Sequence, residues 1–156
     1  MGLLGCASSE SQWRGYNYFL SRKVISFKKF SDTRFHGIVS GSNGAEYQVF
    51  IDTDHPRSST CDCPYANGKS IVCKHMIALF FRAFPLEAKK YYDNIMAYEE
   101  EAEKQQEEDE RKLVSYVSGM KKSELQSALL ELLLNGPAWQ YDRFLREHID
   151  LYGSEQ

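Results

Sequence analysis

The chain has 156 residues, 42% of them apolar and 13% aromatic, which suits one folded domain or one small domain with an appendage. Its longest apolar runs fall far short of the ~20 residues that a helical membrane span requires, so a helical membrane protein is excluded and no membrane partner is expected. The net charge of −3 conceals a division: residues 1–90 hold twelve Lys and Arg against seven Asp and Glu, whereas residues 91–156 hold seven against fifteen. A basic half can meet phosphate and an acidic half cannot.

In chain order, Met1-Gly2-Leu3-Leu4-Gly5-Cys6 offers no charged or apolar targeting region before Cys6 and no Ser or Thr at position 6, so residues 1–13 read as a disordered, unprocessed tail, with Cys6 a free thiol. Arg14, Tyr16, Tyr18, Arg22, Lys23, Phe27, Lys28, Lys29, Phe30, Arg34 and His36 then interleave cations with aromatic rings. Residues 24–30, 33–40 and 45–52 read as strands. Phe35, Gly37 and Val39 alternate in the second, and Tyr47, Val49 and Ile51 in the third, with Gly41-Ser42-Asn43-Gly44 as a hairpin turn between them.

Three of the four cysteines follow in one cluster, Cys61-x-Cys63 and Cys73-x-His75. Structural zinc takes four sulfur or imidazole ligands at tetrahedral corners, and three Cys with one His supply that set. In an extended segment residues i and i+2 point to one side, so Cys61 and Cys63 can aim both sulfurs at one ion while Asp62 faces away. In a helix interior the same offset places side chains nearly opposite. Cys73 must therefore sit just before a first turn, with His75 inside it.

Met76, Ile77, Phe80, Phe81 and Phe84 recur at helical spacing directly afterwards, giving a helix over about 74–84 that Pro85 ends. Asn67-Gly68 supplies a reversal between the two ligand pairs. A helix N-terminus beside the cluster, with Lys69 and Lys74, offsets the excess negative charge of three thiolates on one divalent ion. A redox reading needs Cys-x-x-Cys near a βαβ pattern, which is absent. His55 is an alternative fourth ligand, but it precedes Pro56 and reads as a solvated turn residue. Four protein ligands fill the coordination shell, so the expected ion is one structural Zn²⁺ rather than a catalytic one.

The run from Cys61-Asp62-Cys63-Pro64-Tyr65 to Cys73-Lys74-His75-Met76-Ile77-Ala78-Leu79 resembles the SWIM zinc finger family, whose signature is C-x-C-x(n)-C-x-H. Gly44 to Ile51 is similar to the strand that leads into the family's first cysteine pair. Tyr18 to Val24 and Arg34 to Gly41 resemble the small β-region before the finger in bacterial members, so the resemblance covers residues 14–88. It implies a ββα zinc module that binds DNA or proteins. Members occur beside bacterial SWI2/SNF2 ATPases and in plant transposase-like and eukaryotic signalling proteins.

Beyond the finger, residues 89–112 read as a charged helix or linker, because Tyr91, Tyr92, Ile95, Met96 and Tyr98 give way to a polar run from Glu99 to Arg111. Residues 113–156 read as a helical hairpin. Ser123-x-x-Gln126 has the form of a capping box, Leu125, Ala128, Leu129, Leu132 and Leu133 form an apolar stripe read as core, and Trp139, Phe144, Leu145, His148 and Ile149 mark a last helix. The expected fold class is α+β: a small antiparallel β-sheet plus a ββα-type zinc finger, followed by a C-terminal helical segment.

Gly68-Lys69-Ser70 copies the end of a phosphate-binding loop, but Cys63 stands where the first glycine belongs, and no catalytic constellation stands out. The chain reads as a non-enzymatic zinc module of the cytoplasm or nucleoid. Its expected action is DNA or RNA binding through Lys28, Lys29, Lys69 and Lys74, beside protein contact that includes a homodimer through the C-terminal helices. The alternative is a pure protein adaptor for a separately encoded SWI2/SNF2-type ATPase.

Overall fold

Strand formation follows the alternation in the sequence. Strands β1 (Val24–Lys29), β2 (Arg34–Ser40), β3 (Glu46–Asp52) and a two-residue β4 (Thr60–Cys61) make one antiparallel sheet in the order β1-β2-β3-β4. The computed structural model describes residues 2–42 and 44–149, in two units, residues 1–97 and 98–156. Asn43 in the expected hairpin turn and the last seven residues of the expected helical hairpin, 150–156, lie outside the described residues.

The sheet buries one face. Phe35, Val39, Val49 and Ile51 are almost wholly buried, and their register (Val39 opposite Tyr47, Phe35 opposite Ile51) puts them on the same side. Helix α2 (Lys74–Ala83) lies against that side and contacts all four strands. Seven of its ten residues, His75 to Phe81, are buried, because helix α1 (Ser9–Leu20) covers its other flank. A helix that is apolar nearly all round is a core helix. At Gly37 the helix comes so close that an added Cβ would stand 2.6 Å from Leu79 Cδ1.

The expected disordered tail over residues 1–13 needs correction. Leu3 is buried to 1% exposure, Leu4–Cys6 form a 3-10 turn, and α1 starts at Ser9 with Ser8 Oγ accepting a hydrogen bond from the Ser11 amide at 3.2 Å. That N-cap bond satisfies one of the amides left over at a helix start. The β-character given to Tyr18–Val24 by the resemblance is corrected too, since α1 runs to Leu20 and β1 begins at Val24. Tyr16 of α1 anchors the packing: its ring meets Phe81 edge-on at 5.6 Å and stacks on Tyr92 at 5.9 Å.

Pro85 ends α2 and opens α3 (Pro85–Gly119), because a proline fits a first helical position but not an interior one. The polar run from Glu99 to Arg111 continues that helix without a break, so residues 89–112 are not a linker. Lys104 with Glu100 at 2.6 Å and Lys112 with Glu108 at 2.7 Å are i,i+4 pairs along it.

Helix α4 (Lys122–Asn135) begins two residues before the predicted capping box would start it. Its first amides are served by Glu124, which accepts from the Lys121 amide at 2.7 Å. Helix α5 (Ala138–Phe144) follows, with a π-turn over Leu145–Ile149. Neither helix has a buried residue among those described, and Leu129 and Leu132 are 45% and 65% exposed, so among the described residues the stripe read as core is uncovered. No helix among the described residues is long and apolar enough to cross a membrane.

The α1–α2 contact gives a stability test. A Cβ on Gly15 would stand 2.5 Å from Ile77 Cβ and 2.8 Å from the Lys74 carbonyl oxygen. Gly15→Ala is therefore expected to destabilise by about 1–3 kcal/mol in denaturant melts of the metal-loaded protein, although alanine ordinarily favours a helix. Gly119→Ala, where nothing lies within 4 Å, is the control and should be neutral or slightly stabilising.

Candidate metal centre

Each ligand is delivered by a separate piece of local structure. Asp52, at the end of β3, is 2% exposed, and its carboxylate accepts from the amides of Asp54 at 3.0 Å and His55 at 2.9 Å and from Arg34 Nε at 2.8 Å. The Asp52 amide in turn donates to Ser59 Oγ at 3.0 Å, which fixes the loop that brings the chain back into β4. The His55 amide, with Arg34 in support, holds the Asp52 carboxyl below the usual carboxylate range against the opposing effect of burial.

Cys61 then pairs with Val49 in the sheet. Asp62 turns outward, its carboxylate accepting from the Gln48 amide at 2.9 Å. Cys61 and Cys63 are buried to 4% and 2% exposure, so the i, i+2 offset of an extended segment puts both on one side. The Cys63 carbonyl accepts from the Ala66 and Asn67 amides, and Gly68 takes a left-handed φ of +69° that reverses the loop. Cys73 is the extended N-cap residue of α2, and His75 stands in the first helical turn.

The four side chains converge. Cys61, Cys63, Cys73 and His75 are all buried, and their ligand atoms lie within 4.8 Å of one another. His75 Nδ1 is 3.7 Å from Cys61 Sγ and 3.9 Å from Cys73 Sγ. A tetrahedral zinc with sulfur at ~2.3 Å and nitrogen at ~2.0–2.1 Å requires S···N edges of about 3.6 Å, so the spacing fits such an ion with little adjustment. Nδ1 is the nitrogen turned to the sulfurs. Nε2 is buried without a hydrogen-bond partner among the described residues, which leaves it to carry the ring proton when Nδ1 binds metal. Tyr47 and Tyr18 flank the ring, with centroids at 4.7 and 5.5 Å, and hold its orientation.

Without an ion the three thiols cannot all ionise. A hydrogen bond from Cys61, aided by the His75 ring and the Met76 amide, brings Cys73 down to about 4, so Cys73 is the thiolate. Cys61 is pushed up because it supplies that hydrogen bond and is buried, and burial beside the Cys73 charge pushes Cys63 up. The donor set suits a divalent cation and not a proton-transfer site.

Other residues singled out in the sequence lie elsewhere. The His55 side chain is 71% exposed, with Nδ1 3.8 Å from Asp52, and it takes no part in the cluster. Cys6 is exposed. Lys74 Nζ sits over the Tyr18 ring, 4.5 Å from its centroid, and Lys69 is exposed in the finger loop. Lys28 and Lys29 belong to β1, at the far edge of the sheet from β4, and Lys29 pairs with Asp32.

The four lysines therefore occupy two places rather than one patch. Tyr16 and Tyr18 are in α1, one in the core and one beside His75, and neither offers a free stacking face. The helix that carries them was legible in Trp13, Tyr16, Phe19 and Leu20, spaced three and four apart after Ser8.

Against known proteins, residues 47–84 match the SWIM zinc finger family. No curated protein and no solved structure matches the chain. The matched segment begins at Tyr47, includes all four clustered ligands and ends one residue beyond α2. SWIM fingers are non-catalytic modules. Geometry and sequence comparison agree that the chain contains a SWIM-type zinc finger spanning residues 47–84.

Proposed function

We propose that the chain is a zinc-binding adaptor module, with one structural Zn²⁺ held by Cys61, Cys63, Cys73 and His75, a basic half that contacts nucleic acid and an acidic half that contacts protein. The observation that carries the reading is the group of four buried ligand atoms within 4.8 Å of one another, with His75 Nδ1 3.7 and 3.9 Å from two of the sulfurs. Three thiols kept reduced for a metal suit the cytoplasm or nucleoid.

Support for nucleic acid comes from the twelve-to-seven excess of Lys and Arg in residues 1–90, with Lys28, Lys29, Lys69 and Lys74 as the proposed phosphate contacts. Support for a protein partner comes from the second unit, where Leu113, Leu129, Leu130, Leu132 and Trp139 are at least 45% exposed. Helices with that much uncovered apolar surface gain a core only by association. A second copy of the chain and a SWI2/SNF2-type ATPase are the partners we propose for them.

Metal uptake tests the first part. At pH 7 Cys73 is ionised while Cys61 and Cys63 keep their protons, so binding one Zn²⁺ should release about two protons. Calorimetry in buffers of different ionisation enthalpy would count them. Affinity should rise about 100-fold per pH unit near neutrality, since protons compete with the ion. Cys63→Ser should lose the metal and the cooperative melt of residues 1–97. Stoichiometric absence of metal from the purified parent, with a melt indifferent to chelators, would refute the reading.

Association tests the protein contact. Light scattering of the parent is expected to give a concentration-dependent dimer, and Leu129→Lys with Leu132→Lys should weaken it at least tenfold, about 1.4 kcal/mol. A parent that stays monomeric at every concentration would exclude the second copy as the occupant.

A further inference from the structure

One face of the sheet packs on α2; the other presents a row of different chemistry. Cross-strand partners share a face, so the register Lys28–His36–Phe50–Thr60 lies on the opposite face from the row Phe27–Gly37–Val49–Cys61, of which Val49 and Cys61 are buried. Phe30, two residues beyond Lys28, continues the pairing through its amide to the Arg34 carbonyl at 2.9 Å and falls on the same side.

The Phe30 ring is 60% exposed. Lys28 Nζ stands 5.0 Å from its centroid, and His36 meets it edge-on at 6.5 Å. His36 and Phe50 are half-buried neighbours in the same row, and Arg34 remains 57% exposed while it pairs with Asp52. Aromatic faces and cations therefore alternate across this end of the sheet. Of the carboxylates at this end, Asp52 is engaged in its buried network and Asp32 with Lys29, while Asp54 stands exposed just past β3. Asp62 lies towards the other end of the strands, bonded to the Gln48 amide.

We infer that this open sheet face binds single-stranded nucleic acid, with bases stacking on Phe30, His36 and Phe50 and with Lys28 and Arg34 on the phosphates. The inference rests on the nucleic-acid reading above and adds to it the strand form and the surface. Flat aromatic rings on a shallow surface need an unpaired base to cover them, and within a duplex the base faces are already stacked. Reading a duplex requires an element that enters a groove, and α2 is buried on both flanks. The positive groups fit the phosphate charge, which is why the occupant is a nucleic acid rather than an apolar peptide.

The test uses the full zinc-loaded chain with a labelled 20-nucleotide oligo-dT, its RNA equivalent and a duplex of equal length, each variant first checked for metal content and circular dichroism. The expected result is tighter binding to the single strands than to the duplex, with log affinity falling linearly as log salt rises. Phe30→Ala should weaken single-strand binding about tenfold or more, the loss of one stacked base. Phe30→Trp should keep it and show quenched indole emission, and Lys28→Ala should flatten the salt slope by about 0.7.

Salt-sensitive binding that prefers the duplex, or that survives both Phe30→Ala and Lys28→Ala, would overturn this inference and leave the broader reading standing. No salt-sensitive binding to any of the three would overturn both. Loss of a captured protein in Phe30→Ala, without oligonucleotide binding by the parent, would make the face a protein contact and also overturn the inference.

Discussion

One cluster of four candidate ligands, Cys61, Cys63, Cys73 and His75, is the knot on which the first unit depends. Cys61 ends the two-residue strand β4 and Cys63 lies just past it, while Cys73 and His75 stand at the start of α2, so an ion between them would join the last edge of the sheet to the helix that covers it. Hydrogen bonding alone holds that edge weakly, since β4 pairs with β3 through only two residue pairs. Structural zinc in small fingers is worth an apparent ~10–16 kcal/mol, far more than two ladder bonds contribute. Such an ion would also settle the competition among three buried thiols, of which Cys73 is lowered and Cys61 and Cys63 are raised from the ordinary thiol range.

The knot is local, yet it depends on close packing around it. Gly15 lets α1 approach Ile77 of α2, and Gly37 lets α2 approach the sheet, so the helix bearing His75 is gripped from both sides. Tyr16 extends that grip to Tyr91 and Tyr92 at the start of α3, and Tyr47 from β3 lies against the imidazole itself. The segment matched to the SWIM finger, residues 47–84, includes neither Gly15 nor Tyr16. In this chain the finger is finished by residues that precede it by some thirty positions or more.

What the sequence made legible follows the range of the forces involved. Ligand geometry is fixed by offsets of two residues, and strand faces by alternation, so Cys61, Cys63, Cys73 and His75 and the strands around Phe35 and Val49 could be placed from spacing alone. The amino-terminal helix was obscured because Arg14 stands among its aromatics and Arg22 and Lys23 follow them, and that mixture also describes a binding surface. Its N-cap at Ser8 was the missed signal. The run from Glu99 to Arg111 has no apolar stripe, and its helicity rests on good helix formers and on pairs such as Lys104 with Glu100. The stripe Leu125, Leu129 and Leu132 misled in the other direction, since periodicity reveals an apolar face but not what covers it.

The division of charge now acquires a structural counterpart. The basic portion is an α+β unit with a buried apolar core, and its surface near β1 carries Lys28 and Phe30 beside an exposed Ile25. The acidic portion is helical, with its leucines outward. A surface of cations and rings gains most from a polyanion with free base faces, because phosphate contacts release counterions and stacking covers the rings. A surface of leucines among carboxylates would repel that polyanion and gains most from another apolar face. Two halves so different in chemistry are suited to different occupants, and the carboxylates from Glu99 to Glu110 set the acidic half apart from any polyanion.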